Sequence, residues 1–177
     1  LGDRRYRIAW RTIPQPTDSR SLICTVLPRG SFAGNSLNMA DIHGIMEDDY
    51  EALSGLNTVF SSTIADFTVR LRIAKNVNAF IVKGIPVPRD IQGIRRIGRM
   101  ALPLYAGIEF ERFRNGTPAL EDEDARLRLI ARLDAEVAGL YNLSFEDYQT
   151  VLDMFPLMDG EAKRLRLFEY KNLLLGS

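Results

Sequence analysis

Tyr6, Ile8 and Trp10 alternate with Arg7, Ala9 and Arg11 in the stretch YRIAWRT. This period of two predicts a half-buried strand over residues 6–12, with two arginines leaving its other face. Pro14 and Pro16, with Thr17, Asp18 and Ser19, predict a turn. Residues 21–27 (SLICTVL) form a nearly continuous apolar run ended by Pro28, which reads as a second, more buried strand. Gly30 and Gly34 punctuate a third extended stretch that reaches Leu37 and Met39. Strands at this spacing predict an antiparallel meander.

From Asp48 the period lengthens. Tyr50, Leu53, Leu56, Asn57, Phe60 and Ile64 recur at helical spacing, and Phe67 and Leu71 continue the stripe. One long helix, or two abutting ones divided near Gly55, would satisfy that pattern. Residues 79–82 read as a short strand running into Ile85-Pro86-Val87-Pro88, where each proline holds its predecessor out of the helical region. Ile91, Ile94, Ile97, Ala101 and Leu104 describe the apolar face of a further helix that Gly98 and Pro103 weaken. The last third reads as wholly helical. Its first helix begins among the acids of residues 118–124 and buries Leu127, Ile130, Val137 and Tyr141. A second starts at a capping box of Ser144 and Asp147 and runs through Val151, Leu152 and Phe155 to Pro156; a third spans 162–175.

Charge adds an asymmetry to this outline. Residues 1–117 hold 16 basic and 11 acidic residues, while residues 118–177 hold 7 and 12, so a net of +5 is balanced by a net of −5. In residues 70–99, eight basic side chains (Arg70, Arg72, Lys75, Lys83, Arg89, Arg95, Arg96, Arg99) face one acid, Asp90. Only four of the 23 basic residues are lysines, so the positive charge is mostly planar guanidinium, the group suited to bidentate contact with phosphate or guanine. A solvated charged face explains such a cluster as well as a polyanionic partner does. No apolar run is long enough to span a membrane, and the charged first residues do not read as a signal peptide. A cytoplasmic protein is expected. The chain starts on Leu1 rather than Met and enters a strand almost at once, which suggests a piece of a longer polypeptide.

Catalytic chemistry is thinly represented. One Cys and one His make a zinc site built from those residue types alone improbable. Gly30-Ser31-Phe32-Ala33-Gly34 has the wrong spacing for a GxGxxG or Walker-type phosphate loop. His43 has no identifiable nucleophile beside it, and Cys24 sits in an apolar run that predicts a raised pKa and little reactivity. Glu47, Asp48, Asp49 and Glu51 read as helix-start acids rather than metal ligands, and Asp134 as a structural acid. No catalytic or metal-binding residue is therefore expected. Binding groups are richer: Arg7 and Arg11 on the first strand, Asn35 and Asn38 after two glycines, and Asn76 and Asn78 beside Lys75. Arg and Asn pair bidentately with guanine and adenine in the major groove, whereas Lys suits phosphate. The asparagines fit helix ends and turns equally well.

The ordered series YRIAWR (6–11), RSL (20–22), LPRG (27–30), GNSL (34–37), SSTIADFTVR (61–70), Asn78-Ala79-Phe80, IPVP (85–88), LDAEVAGLYNL (133–143), FEDY (145–148) and Phe155-Pro156 resembles the C-terminal part of large DNA methyltransferases of restriction–modification and phage-defence systems, including type IIG restriction enzymes and BREX-type methylases. The family often has Asn-Ser where this chain has Ser61-Ser62. The resemblance implies a target-recognition region that reads duplex DNA for a methyltransferase domain in the same polypeptide. That parent would be a DNA (adenine-N6) methyltransferase, with or without restriction endonuclease activity. Neither the family's catalytic tetrapeptide (Asp/Asn/Ser-Pro-Pro-aromatic) nor its glycine-rich S-adenosylmethionine loop is present, so the cofactor is expected in the parent's catalytic domain and not here.

These readings combine into an α+β expectation: a small, mostly antiparallel sheet with packed helices over 1–117, then a helical subdomain over 118–177. Sequence-specific recognition of double-stranded DNA is the expected function, with no membrane partner. Arg7, Arg11, Asn35, Asn38, Asn76 and Asn78 are the base-reading candidates, and Arg70, Arg72, Lys75 and Lys83 the phosphate-binding ones. The alternative is an interaction or scaffold module whose acidic helical tail docks a catalytic domain or a defence-complex partner.

Overall fold

The alternating segment forms the middle of the sheet. In the computed structural model, which describes residues 5–40, 42, 48–73 and 75–176, β1 (Arg7–Arg11) pairs antiparallel with both β2 (Cys24–Leu27) and β3 (Leu37–Ala40), in the order β2-β1-β3. A simple meander would put β2 in the centre. The reason it does not is burial: Ile8, Ala9 and Trp10 are all buried in β1, on both faces of the strand, whereas β2 keeps only Val26 buried and exposes Thr25. The strand covered on both faces takes the central position. After β2 the chain turns at Pro28–Ser31, where Gly30 adopts φ +79°, a left-handed conformation that glycine accepts without steric cost.

Helices start where short polar side chains can cap them. Asp49 caps α1 (Tyr50–Phe60), accepting from Ala52 N at 3.1 Å, and Ser62 caps α2 (Thr63–Arg70), accepting from Ala65 N at 3.1 Å. The division thus falls at Ser61-Ser62, not at Gly55. Gly55 instead lies inside α1, where α4 (Ile91–Ala101) crosses it. A methyl group built there would sit 2.0 Å from Ile94 O, and one on Gly98 would sit 1.9 Å from Glu51 O. Both glycines permit backbone-to-backbone contact, and Ser54 Oγ donates to Gly98 O at 2.9 Å across it.

Residues 79–83 form the short helix α3 (Ala79–Lys83) rather than a strand; Ile81 and Val82 are buried in its one and a half turns. Beyond α4, 3-10 turns at 102–104 and 108–110 lead into α5 (Glu111–Arg114). The last third is helical as expected: α6 (Glu123–Leu140), α7 (Phe145–Asp153) and α8 (Gly160–Leu175). Ser144 and Asp147 form the capping box. The buried face of α6 differs from the expected one. Ala131, Leu133, Ala135, Val137 and Ala138 are buried, but Leu127 is 51% and Ile130 38% exposed, because the first turns of α6 run past the rest of the core. One hydrophobic core includes Trp10 of the sheet, Val59 of α1, Ile97 of α4, Val137 of α6 and Tyr170 of α8. The fold is α+β. Among the described residues, no helix is long and apolar enough to cross a membrane.

Candidate nucleic-acid interface

The end of the sheet where β1 leaves and β3 enters is organised around Val77. Val77 N donates to Thr12 O at 2.7 Å, while Val77 O accepts from Trp10 Nε1 at 2.9 Å and from Asn38 Nδ2 at 3.4 Å. Thr12 N donates to Ser36 O at 2.9 Å, so the loop carrying Asn35 closes on the same point. These bonds lay residues 75–78 against the sheet and bring Asn35, Asn38, Lys75, Asn76 and Asn78 to one end of it, where Arg11 projects from the opposite face. Immediately beyond it, Arg72 Nη1 donates to Gly84 O at 2.6 Å and ties the turn after α2 to the end of α3, which carries Lys83.

Their environments differ. Asn35, Arg72, Lys75, Asn78 and Lys83 are exposed. Asn76 is half-buried, and its Oδ1 is buried without a hydrogen-bond partner among the described residues. Arg11 is ion-paired to Asp18. Asn38 stands opposite Trp10 and so shares its face of the sheet, away from the Arg7/Arg11 face; its amide is engaged by Val77. Asn78 occupies the N-cap position of α3 without making a side-chain cap bond, leaving that amide open to solvent.

Two candidates lie elsewhere. Arg7 is at the far end of β1, opposite Leu27, and donates to Ser31 O at 3.1 Å. Arg70 belongs to an internal clamp. Its Nη2 donates to Ser19 O at 3.0 Å, its Nε lies 3.6 Å from Asp66 Oδ1, and its guanidinium rests 4.3 Å from the centre of the Phe155 ring. A cation held by a buried carboxylate and an aromatic face is a strut of the fold, so Arg70 is no longer a candidate for phosphate binding.

The expected basic cluster over 70–99 is likewise smaller than its count. Arg95 pairs with Asp49, Arg96 with Glu136 at 2.7 Å and Arg99 with Glu51 at 2.8 Å. The hydrogen bond from Arg99 holds the Glu51 carboxyl below its ordinary range, and the bond to Glu136 raises Arg96. Three of the eight cations therefore fasten α4 to α1 and α6. Arg96 and Arg99 stay exposed but paired, whereas Arg72, Lys75, Lys83 and Arg89 are exposed with no acid paired to them among the described residues, in a stretch from Leu71 to Arg89 that contains no acid.

The structure also explains several motifs that composition could not. Asp66 accepts from Arg20 Nε at 2.5 Å, Ser21 N at 3.0 Å and Leu22 N at 3.1 Å, which joins the RSL and SSTIADFTVR segments. Asp134 accepts from Thr63 N at 2.7 Å, Thr63 Oγ1 at 2.8 Å, Tyr148 OH at 3.1 Å and Arg166 Nε at 2.9 Å, joining α2, α6, α7 and α8. Tyr141 OH donates to Pro86 O at 2.5 Å and anchors the IPVP segment. Acids buried within helical stripes are the available sign of Asp66 and Asp134, but their partners are distant in sequence. His43 and Glu47 lie outside the described residues; Asp49 and Glu51 are helix-start acids, and among the described residues no group of three or more His, Cys, Asp or Glu side chains could hold a metal ion. Compared with protein-family models, curated proteins and solved structures, the chain matches none of them.

Proposed function

We propose that the chain recognises duplex DNA in a sequence-specific manner for a methyltransferase domain of the same polypeptide. The observation that supports this reading best is the region around Val77, where the exposed carboxamides of Asn35 and Asn78 meet exposed cations in an acid-free stretch. Asn35 and Asn78 are the base readers in this proposal, and Arg72, Lys75 and Lys83 hold phosphates; Asn76 Oδ1 is buried, Arg11 is paired to Asp18 and the Asn38 amide is engaged by Val77, so these three are not offered to the bases. Carboxamides present donor and acceptor together, which matches the major-groove edge of adenine. The chain itself performs no chemistry in this reading; S-adenosylmethionine belongs to the parent's catalytic domain. Selection from a random-sequence duplex pool tests it. The protein should enrich a defined sequence, and Asn78→Ala should relax one position by about 1–3 kcal/mol while leaving the others. A pool that stays random, or a consensus indifferent to both asparagines, contradicts it.

A second reading, docking of a protein partner by the acidic helical tail, is favoured by one observation. Between α6 and α8 runs a groove of about 620 Å³ in which Leu127, Ile130, Leu165 and Phe168 are bordered by charged side chains that include Asp124, Arg128, Glu161 and Arg164; Phe168 is 59% exposed. Exposed apolar side chains rimmed by polar ones on a surface helix pair are a feature of interaction sites. The two readings coexist if the sheet end takes DNA and the helices take the catalytic domain.

A further inference from the structure

Phe80 is 83% exposed, more than any other large apolar side chain among the described residues, although the helix that carries it is firmly seated. Ile81 and Val82, which follow it in α3, are 7% and 5% exposed, Ile85 just after the helix is 6% exposed, and Val77 just before it is held by three hydrogen bonds to Thr12, Trp10 and Asn38. A short helix whose neighbouring side chains are buried and whose phenyl ring stands in water is a rigid mount for an apolar group. Ile108 and Phe32 are nearly as exposed, at 80% and 79%, so what sets Phe80 apart is the chemistry around it.

The chemistry around the ring indicates what it meets. Lys83 follows three residues later on the same helix, Asn78 precedes it by two, and the Arg72 guanidinium is fixed to Gly84 O at 2.6 Å. Lys75 is exposed on the approach, and no acid occurs from Leu71 to Arg89. An apolar ring set among cations and carboxamides fits a surface that is anionic outside and offers stacked aromatic faces inside. Duplex DNA has that make-up; an apolar protein surface would leave the cations unmatched.

We infer that Phe80 is an apolar wedge that enters between adjacent base pairs and locally unstacks the duplex, while Arg72, Lys75 and Lys83 hold the flanking phosphates. The inference rests on the DNA-recognition reading and goes beyond it, since recognition through the asparagines requires no deformation of the DNA. A wedge of this kind unwinds and kinks its site and makes deformable pyrimidine–purine steps preferred.

The test uses the 177-residue chain and closed circular plasmid that a topoisomerase relaxes while the protein is bound. Once the protein is removed, the plasmid should keep a linking number lowered in proportion to the amount that was bound. Phe80→Ala should melt at the same temperature as the unchanged protein, bind with the same salt dependence, and leave the linking number where it is without protein. Phe80→Leu, which keeps an apolar wedge, should retain part of the unwinding. Binding without any change in linking number, or equal unwinding by Phe80→Ala, overturns the wedge and leaves DNA recognition standing. A change confined to the protein's own sedimentation makes Phe80 a protein contact and also overturns it. No plasmid binding by the unchanged protein at low salt removes the recognition reading and this inference with it.

Discussion

Single residues divide into those that face solvent and those that hold the chain together, and residue type alone does not separate them. Arg70 and Arg72 are two positions apart, yet the first is packed on Phe155 and the second is exposed. Asn142 has the sequence character of a loop asparagine; it adopts φ +52° after α6, where its N–H donates to Gly139 O at 2.9 Å. That is the helix-ending role asparagine tolerates better than most side chains. Cys24 behaves as its apolar surroundings predict: burial pushes its thiol from 9.0 up to about 12, against a smaller lowering by Arg20. Because the folded thiol keeps its proton longer than the unfolded one, its contribution to stability is complete below about pH 9 and is lost as pH rises toward 12. Thiol labelling at pH 8 should therefore be far slower for the folded protein than for the urea-unfolded chain. Equal rates would mean that Cys24 is not shielded.

At the scale of elements, local pattern carries the existence of most helices and strands and little of their arrangement. Alternation of Tyr6, Ile8 and Trp10 predicts β1 to within a residue, and the Ser144–Asp147 box marks the start of α7. The central place of β1 depends on burial of Ala9 from the other face, which alternation does not encode. Residues 79–82 contain β-branched Ile81 and Val82 and too few positions to show a period, so the local preference for strand loses to packing of those two side chains. Gly55 and Gly98 read as weak points in helices, whereas they are the places where α1 and α4 touch. Gly98→Ala is expected to lower unfolding free energy by about 1–3 kcal/mol or more, because its methyl group would meet the Glu51 carbonyl rather than a movable side chain. Chemical denaturation measures it. A neutral or stabilising outcome, as an exposed helical Gly→Ala change gives, would contradict the close crossing.

Across the whole molecule, part of the charge of the 23 basic and 23 acidic residues is taken up by pairing within the fold. Glu136 of the acidic tail takes both Arg96 and Arg132, and Asp66 takes Arg20 and Arg70. Such pairs neutralise arginines even where, as with Arg96 and Arg99, the side chain stays exposed, so the stretch with the highest formal charge carries less unpaired charge than its count. The candidate site is legible in the sequence as residue types: the asparagines and lysines around residue 76 stand out there. Their convergence is not, because it depends on Val77 bridging Thr12, Trp10 and Asn38 across more than 35 positions.

The account depends on the cations of that convergence meeting the strands of a double helix. The most direct measurement is the affinity of the chain for a mixed-sequence duplex over a salt series, compared with a Lys75→Ala/Lys83→Ala variant. Removing one phosphate-bound cation should reduce the slope of log K against log salt by about 0.9, so the double variant should be shallower by about 2 with its melting temperature unchanged. An identical slope for both proteins, or binding to the duplex that salt does not weaken, would contradict the account.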